Sequence, residues 1–184
     1  MNAKDIPLNE SRKVDTIKEI LDIAEKEAGD KIAFKYKIKN NVKEVTYKEF
    51  QNDTIYLGTA LSTIQMGDKH IATIGNNSYE WITTYLTVLK SNGVFVPIDK
   101  ELTCAEIINV LKNSDSEILF YAEPYEKYIE EFKKQLPNVK YYIGFDRAEN
   151  EGNLLSYKKF IKEGKNVYFV SFLLLPYFYR LHFK

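Results

Sequence analysis

The chain of 184 residues is poor in the residues that build metal cages and phosphate loops: it has one cysteine, Cys104, two histidines, His70 and His182, and eight glycines. One cysteine excludes an internal disulfide, and with two histidines it cannot supply a Cys/His zinc cage. Neither G-x-x-x-x-G-K-[ST] nor G-x-G-x-x-G occurs, so the common glycine-rich nucleotide loops are also excluded. The scarcity of cysteine favours a reducing, cytoplasmic location.

The chain also lacks an excess of charge of either sign, because 26 Lys and Arg residues balance 26 Asp and Glu residues. The net charge of the whole chain is therefore zero and would not attract nucleic acid or an anionic membrane. Residues 1–15 contain no apolar core of signal-peptide length, and no stretch up to residue 166 is apolar enough to span a bilayer. A hydrophobic content of 45% and a charged content of 28% are typical of a soluble globular domain.

Apolar runs alternate with amphipathic segments along most of the chain. A helix is predicted over 14–29, closed by Gly29, and a β-hairpin is predicted over 31–47 around Asn40-Asn41. Three capping boxes, Thr46 with Glu49, Asn77 with Glu80 and Thr103 with Glu106, are predicted to open helices. Further strands are predicted at 69–75, 93–98, 117–121 and 139–144, and further helical segments at 124–136 and 154–164.

Continuously apolar strands that alternate with capped helices are typical of a parallel sheet covered on both faces. The predicted fold class is therefore α/β, with a partial doubly wound, mostly parallel sheet and helices on both faces. Right-handed crossovers place the carboxyl ends of the strands at one edge, where such folds bind their ligands. No fixed-period sequence repeat is present.

Candidate nucleophiles and bases are few. Cys104 falls in the first turn of a predicted helix, where the helix dipole could lower the pKa of its thiol. Because no histidine lies near it in sequence, we favour a small filler residue in a capping box. His70 precedes a predicted strand and His182 lies near the C-terminus, and both are interpreted as surface imidazoles rather than catalytic groups.

Two stretches fall at the predicted ligand edge of the sheet. Asp99 directly follows an apolar strand, where a ligand contact and a turn-forming role are both open, and the turn is favoured. In residues 75–81, the Asn and Ser side chains could contact a ligand, yet helix capping already accounts for Asn77 and Glu80, and Trp81 is predicted to belong to the core. The residues alone therefore predict a soluble α/β domain and assign no catalytic, cofactor-binding or metal-binding residue.

Two sequence elements resemble the N-terminal part of the AMP-forming adenylate synthetases. The family element [LV]-T-Y-x-E-[LF] is matched by Val45, Thr46, Tyr47, Glu49 and Phe50. The element L-K-x-G-[AG]-x-[YFV]-V-P-[IL]-D is matched by Leu89, Lys90, Gly93, Phe95, Val96, Pro97, Ile98 and Asp99. The resemblance covers roughly residues 14 to 164 and implies the N-terminal subdomain of an adenylate-forming enzyme.

Within that superfamily the chain is most like an acyl-CoA synthetase, in particular a long-chain fatty acid–CoA ligase. Peptide-synthetase adenylation domains usually continue D-P-x-Y-P-x-x-R-I, whereas residues 99–107 read DKELTCAEI. The resemblance implies ATP, Mg²⁺ and coenzyme A as cofactors of the intact enzyme. None is expected for this chain alone, because the family's phosphate-binding T-S-G-T-T-G-x-P-K-G and the family's later nucleotide-binding and catalytic elements are absent from the sequence.

The composition changes after residue 166. Residues 167–184 contain no Asp, Glu or Gly, and the apolar run 167–179 is interrupted by Pro176. We divide the chain into an N-terminal extension (1–13), a partial AMP-binding domain (14–166) and an atypical apolar tail (167–184). The preferred hypothesis is that the tail is out-of-frame translation after a frameshift or premature stop. A final buried strand with a short stub and a membrane segment that is only half buried are the alternatives.

Two functional hypotheses follow. In the first, the chain is the N-terminal fragment of an acyl-CoA synthetase, inactive alone, whose partner is the missing downstream half. In the second, it is a stand-alone α/β binding or interaction module without catalysis; a fragment of a peptide-synthetase adenylation domain is a further alternative. A nucleic-acid partner is not expected, and a membrane partner is disfavoured.

Overall fold

A computed structural model describes the backbone of residues 12–38 and 40–182, and the side chains of these ranges as far as residue 171. Most of the predicted N-terminal extension, residues 1–11, lies outside the described residues. The helices and strands follow one another in the order α1 (Ile17–Ala28), β1 (Ile32–Ile38), β2 (Asn41–Thr46), α2 (Tyr47–Thr63), β3 (His70–Ile74), α3 (Tyr79–Lys90), β4 (Val94–Ile98), α4 (Cys104–Asn113), β5 (Ile118–Tyr121), a 3₁₀ helix (Glu123–Tyr128), α5 (Ile129–Gln135), β6 (Tyr141–Gly144), β7 (Leu154–Ser156) and α6 (Tyr157–His182).

Capping residues set the starts of the helices. The predicted boxes at Thr46 and Thr103 are present, and each threonine hydroxyl accepts a hydrogen bond from the amide three residues later. The predicted box at Asn77 is wrong, because Ser78 caps α3 and accepts from the Trp81 amide at 3.1 Å. Thr16 forms a further capping box, with Glu19, that was not predicted from the sequence.

The predicted α/β fold class is confirmed. Five strands form a parallel sheet in the order β4-β3-β5-β6-β7. The predicted hairpin is also confirmed, and β1 pairs with β2 in a separate antiparallel ribbon. The predicted helical segment at 124–136 begins as a 3₁₀ helix with Pro124 in its first turn and becomes α-helical only at Ile129.

Helices cover both faces of the sheet. On one face α4 and α5 contribute Ile107, Leu111 and Phe132, which pack with Leu119 and Tyr121 of β5. On the other face the alternate residues of the same strand, Ile118 and Phe120, pack with residues of α2, α3 and α6. Strand β5 is therefore buried on both sides, as its continuously apolar sequence predicts.

The buried face of α3 differs from the predicted one. The apolar pattern pointed to Trp81, Ile82, Tyr85, Leu86 and Leu89, whereas the buried residues are Tyr79, Thr83, Thr84, Thr87 and Val88. Thr83 and Thr84 donate their hydroxyls to carbonyls one turn back in the same helix, at 2.7 and 2.8 Å. Because these polar groups are satisfied locally, α3 can bury them, and hydropathy alone misassigned the face.

Strand β4 forms one edge of the sheet and pairs with β3 alone. Its side chains are only partly covered, and Val94 is 47% exposed. The prediction that Trp81 is a core residue is wrong, because its indole is half-buried and stacks on Tyr85 beside Phe95 at this edge. A strand with one neighbour gives the adjacent helix too little surface to bury a ring of this size.

Helix α6 extends from Tyr157 to His182, so the alternative of a final buried strand after residue 166 is wrong. The helix crosses α2 at a very short distance at Gly164. A Cβ added to this glycine would lie 2.0 Å from the Tyr56 carbonyl oxygen and 2.8 Å from the Ala60 nitrogen. Within the part of the chain that the structure describes, no helix combines the length and apolar character needed to cross a membrane.

Candidate functional site

The connections of β3 define a crevice at the carboxyl edge of the sheet. From β3 the chain continues through α3 to β4 on one side, and from β4 it returns through α4 to β5 on the other side of β3. The helical segments that follow β3 and β5 lie on opposite faces of the sheet and lead to opposite sides, so the chain diverges between the ends of β3 and β5. Open α/β sheets bind their ligands at such a switch point.

A groove of about 490 Å³ opens at this switch point. The segment after β3 lines it with Asn76, Ser78 and Glu80, the segment after β5 with Ala122, Glu123 and Pro124, and the segment after β6 with Phe145 and Asp146. Three consecutive loops of the sheet therefore converge on one cavity.

Gly75 allows two of these loops to approach each other. Its φ of +154° is a conformation that residues with a side chain rarely adopt, and an added Cβ would lie 2.8 Å from the Cβ of Ala122. The Ala122 amide donates to the Ile74 carbonyl at 3.1 Å, so the strand pairing continues to the floor of the groove. The fine shape of the groove depends on a glycine at this position.

A polar network fixes the loops after β5 and β6. The Asp146 carboxylate accepts from the Glu123 amide at 3.2 Å, and the Tyr121 hydroxyl donates to Glu126 at 2.6 Å. Arg147 contacts both Glu126 and Glu151. Burial, together with the hydrogen bond to Glu126, raises the pKa of Tyr121, so this phenol stays protonated at neutral pH.

The groove is acidic. Glu80, Glu123 and Asp146 line it, while the nearby cation Arg147 is already engaged by two carboxylates. A polyphosphate needs cations to balance its charge, and no described Lys, Arg or His side chain lines this groove. The residues present therefore do not fit ATP phosphates, and among the described residues no cluster of three His, Cys, Asp or Glu side chains could hold a metal ion.

A larger groove of about 800 Å³ lies at the opposite, amino edge of the sheet. Its three lysines are already engaged: Lys90 donates to Thr54 Oγ1 at 2.8 Å, Lys140 pairs with Glu117 at 2.6 Å, and Lys69 lies 3.7 Å from Asp68. Burial lowers the pKa of Lys90, which further weakens it as an anion ligand. We therefore place the candidate site at the carboxyl edge.

The residues singled out from the sequence are dispersed over the structure. Asn77 and Trp81 line a small neighbouring pocket of about 250 Å³ beside the groove. Asp99 is exposed, and its Oδ1 accepts from the Glu101 amide at 2.9 Å, which is a turn contact. His70 lies at the amino edge with Nδ1 2.6 Å from the Ser114 carbonyl oxygen.

Cys104 is half-buried in the first turn of α4. Burial and the negative charge of Glu131 raise the pKa of its thiol, which is the opposite of the shift that an activated cysteine requires. His182 falls in α6, and its side chain lies outside the described residues. Among the candidates whose side chains the structure describes, no nucleophile and base lie together.

Sequence reasoning missed Glu123, Asp146 and Arg147. All three lie two or three residues after apolar strands, which is close to the position after a strand that drew attention to Asp99. The signal was present, but the order of the strands decides which loops meet, and that order is not visible in the sequence.

A buried acid lies under the hairpin near this edge. The Tyr79 hydroxyl donates to Asp53 Oδ2 at 2.7 Å, yet burial raises the pKa of Asp53 overall. The folded state therefore binds this proton more tightly than the unfolded state, and its contribution to stability is lost as the pH rises through the folded pKa.

We expect Asp53→Asn to be more stable than the parent at pH 7 and equally stable near pH 3, because the asparagine carbonyl still accepts from Tyr79 and carries no charge. Urea unfolding from pH 3 to 7 measures the difference. Asp68→Asn, an exposed carboxylate at the other edge, is the control and should show no such trend. A constant difference at every pH would contradict the assignment.

Comparisons with known proteins agree with this architecture. Residues 21–167 match the family model described as AMP-binding enzyme. No curated protein sequence matches significantly. Among solved structures, the anthranilate CoA ligase AuaEII has a TM-score of 0.67 at 21% identity, covering 89% of this chain and 30% of that one.

Two further solved structures are similar. Coronafacic acid ligase from Pectobacterium brasiliense has a TM-score of 0.69 at 18% identity, covering 80% of this chain and 29% of that one. The N-terminal domain of FACL13 from Mycobacterium tuberculosis has a TM-score of 0.68 at 20% identity, covering 81% and 36%. The chain thus spans about a third of the length of these proteins, and their structures match its parallel sheet and flanking helices. On its fold and on the family match over most of its length, this chain belongs to the AMP-binding enzyme family.

Proposed function

We propose that the chain is the N-terminal portion of an AMP-forming acyl-CoA synthetase. The observation that carries this proposal is the family match over residues 21–167, on a fold shared with about a third of the anthranilate CoA ligase and of the coronafacic acid ligase. The complete enzyme would activate a carboxylate with ATP as an acyl-adenylate and transfer the acyl group to the thiol of coenzyme A. Membership of the family is established, and the acyl-CoA activity is the proposed part.

In this proposal the chain alone is inactive and supplies structural framework. Catalysis of adenylyl transfer depends on groups that position phosphates and stabilise their charge. The candidate groove is acidic, and its one nearby arginine is engaged, so those groups would come from a downstream portion together with ATP, Mg²⁺ and coenzyme A. That downstream portion is the proposed partner.

The proposed substrate is a long-chain fatty acid, and the proposed location is the cytoplasm. The sequence DKELTCAEI at 99–107, which departs from the peptide-synthetase pattern, supports an acyl-CoA synthetase. The similar structures that are named as CoA ligases support the same class. A peptide-synthetase adenylation domain remains the alternative within the family.

The test begins with the DNA from codon 160 to about a thousand bases beyond codon 184, translated in all frames. We expect one frame to encode T-S-G-T-T-G-x-P-K-G. The polypeptide that this frame encodes is then expressed with the present chain, and ATP–pyrophosphate exchange is measured with palmitate. Exchange is expected with both polypeptides together and with neither alone, and the same pair without a carboxylate is the control. No such motif in any frame would overturn the proposal.

A stand-alone interaction module is the second candidate. The half-exposed edge strand β4 and its aromatic neighbours Trp81 and Phe95 favour it, because a partner could add a strand there. Such a module would be a soluble monomer by sedimentation without any companion. The synthetase fragment would aggregate alone and become soluble with the downstream polypeptide.

A further inference from the structure

Helix α6 concentrates positive charge in a chain whose net charge is zero. Residues 157–184 contain six basic residues, Lys158, Lys159, Lys162, Lys165, Arg180 and Lys184, against the single acid Glu163. This segment therefore carries a net charge of +5, and the preceding residues carry −5. The C-terminal helix and the rest of the molecule have opposite electrostatic character.

The solvent-facing side of α6 forms one continuous stripe. Lys158, Lys162, Lys165 and Phe169 follow one another at intervals of four, three and four residues, which places them on one face of a helix. All four are exposed, although Lys165 Nζ and the Phe169 ring also lie 5.5 and 6.1 Å from the centre of the Tyr56 ring of α2. The opposite face is occupied, because Phe160 packs into the core and Gly164 contacts α2.

Exposed apolar residues appear on α6 after residue 166. Phe169, which is 45% exposed, continues the lysine stripe, and Val170, which is 55% exposed, borders it, whereas the exposed Val167 lies on the other side of the helix. The sequence continues this character through residue 179 without an acidic residue. The family match ends at residue 167, so the proposed function does not account for this part of the helix.

A lipid surface is the partner whose chemistry this arrangement fits. An apolar run of 13 residues spans about 20 Å as a helix, which is shorter than the ~30 Å hydrocarbon core. A helix with exposed aromatic and aliphatic residues beside lysines binds in the plane of the interface, and the lysines attract anionic head groups. A second copy of the chain is disfavoured, because pairing would bring two segments of the same +5 charge together.

We propose that α6 docks the protein peripherally on anionic lipid surfaces. Phe169 and Val170 enter the interfacial region. Lys158, Lys162 and Lys165 contact the head groups. This is the half-buried membrane contact that the sequence left open as an alternative, and it does not depend on the synthetase activity.

The test is flotation of the full 184-residue chain, cleared of aggregates by ultracentrifugation immediately before use, with vesicles of phosphatidylcholine and phosphatidylserine in a 7:3 ratio, and with vesicles of pure phosphatidylcholine. We expect binding to the mixed vesicles at low salt, a marked loss at 0.5 M NaCl, and little binding to the neutral vesicles. Replacing Lys158, Lys162 and Lys165 by glutamine should weaken binding by about a hundred-fold, at about five-fold for each lysine. Phe169→Ser with Val170→Ser should weaken binding to both vesicle types.

The matched control is a triple variant that removes the same charge from exposed positions on β1, α4 and α5, namely Lys37→Gln, Lys112→Gln and Lys134→Gln. This variant should bind the vesicles as the parent does, within about two-fold. Phe169→Trp should show fluorescence that is quenched by brominated lipid, unlike Trp81 in the parent. Equal losses in the two lysine triples, or an introduced indole that brominated lipid fails to quench, would overturn the proposal. The proposal would also be overturned if the protein formed a stable oligomer and did not bind vesicles, because α6 would then contact a second copy of the chain.

Discussion

Gly164→Ala is expected to lower the free energy of unfolding by about 3 kcal/mol, although alanine is the better helix former. The added Cβ would lie 2.0 Å from the Tyr56 carbonyl oxygen, so α6 must move away from α2. The colliding atoms belong to the backbone of α2 and cannot turn aside as a flexible side chain could. The melting temperature should fall by about 10 °C, measured by circular dichroism together with urea unfolding.

Gly58→Ala is the matched control on α2. Its added Cβ would meet the Thr87 Cγ2 at 3.6 Å, which is an ordinary contact, so the variant should gain about 0.5–1 kcal/mol from helix propensity. If Gly164→Ala also gained stability, the close crossing of α2 and α6 would be refuted.

Gly75→Ala is expected to cost about 2–3 kcal/mol, because the substitution combines an unfavourable φ of +154° with a collision against Ala122. Both effects act at the switch point, so the carboxyl ends of β3 and β5 should separate and the groove should change shape. Urea unfolding measures the loss, and amide exchange of Ala122 should report a weakened hydrogen bond to Ile74.

Gly152→Ala is the reference for a positive φ without a collision. Gly152 has a φ of +58°, which residues with side chains adopt more readily than +154°, and nothing lies within 4 Å of an added Cβ, so a cost of about 1 kcal/mol is expected. An equal loss in the two variants would contradict the extra cost that we assign to Gly75.

Local chemistry explains which parts of the fold were predictable. The boxes at Thr46 and Thr103 involve residues only three positions apart, so the sequence contains the whole interaction. The capping residue of α3 was misplaced by one position, because Asn77 and Ser78 are adjacent residues with equal capping ability. Strands such as β5 were predicted from continuous apolar character that burial on both faces demands.

Long-range arrangement explains what could not be predicted. The sequence of strand β4 is as apolar as that of β5. Only the order of the strands in the sheet makes β4 an edge strand and β5 a central strand. The site has the same limitation, because Glu80 and Asp146 meet in one groove only after the chain crosses back over β3. The buried threonines of α3 were not recognised because their bonds to their own helix remove the cost of burying them.

The crossing of α2 and α6 also has a consequence for the protein during translation. Helix α2 leaves the ribosome before the parallel sheet, yet the helix that covers Leu57 and Ala60 follows the last strand, β7. These apolar side chains therefore lack their α6 partner while every strand of the sheet is being synthesised, and chaperones bind surfaces of that kind. The nascent chain should remain chaperone-bound until the codon for Gly164 has been translated and its residue has left the exit tunnel.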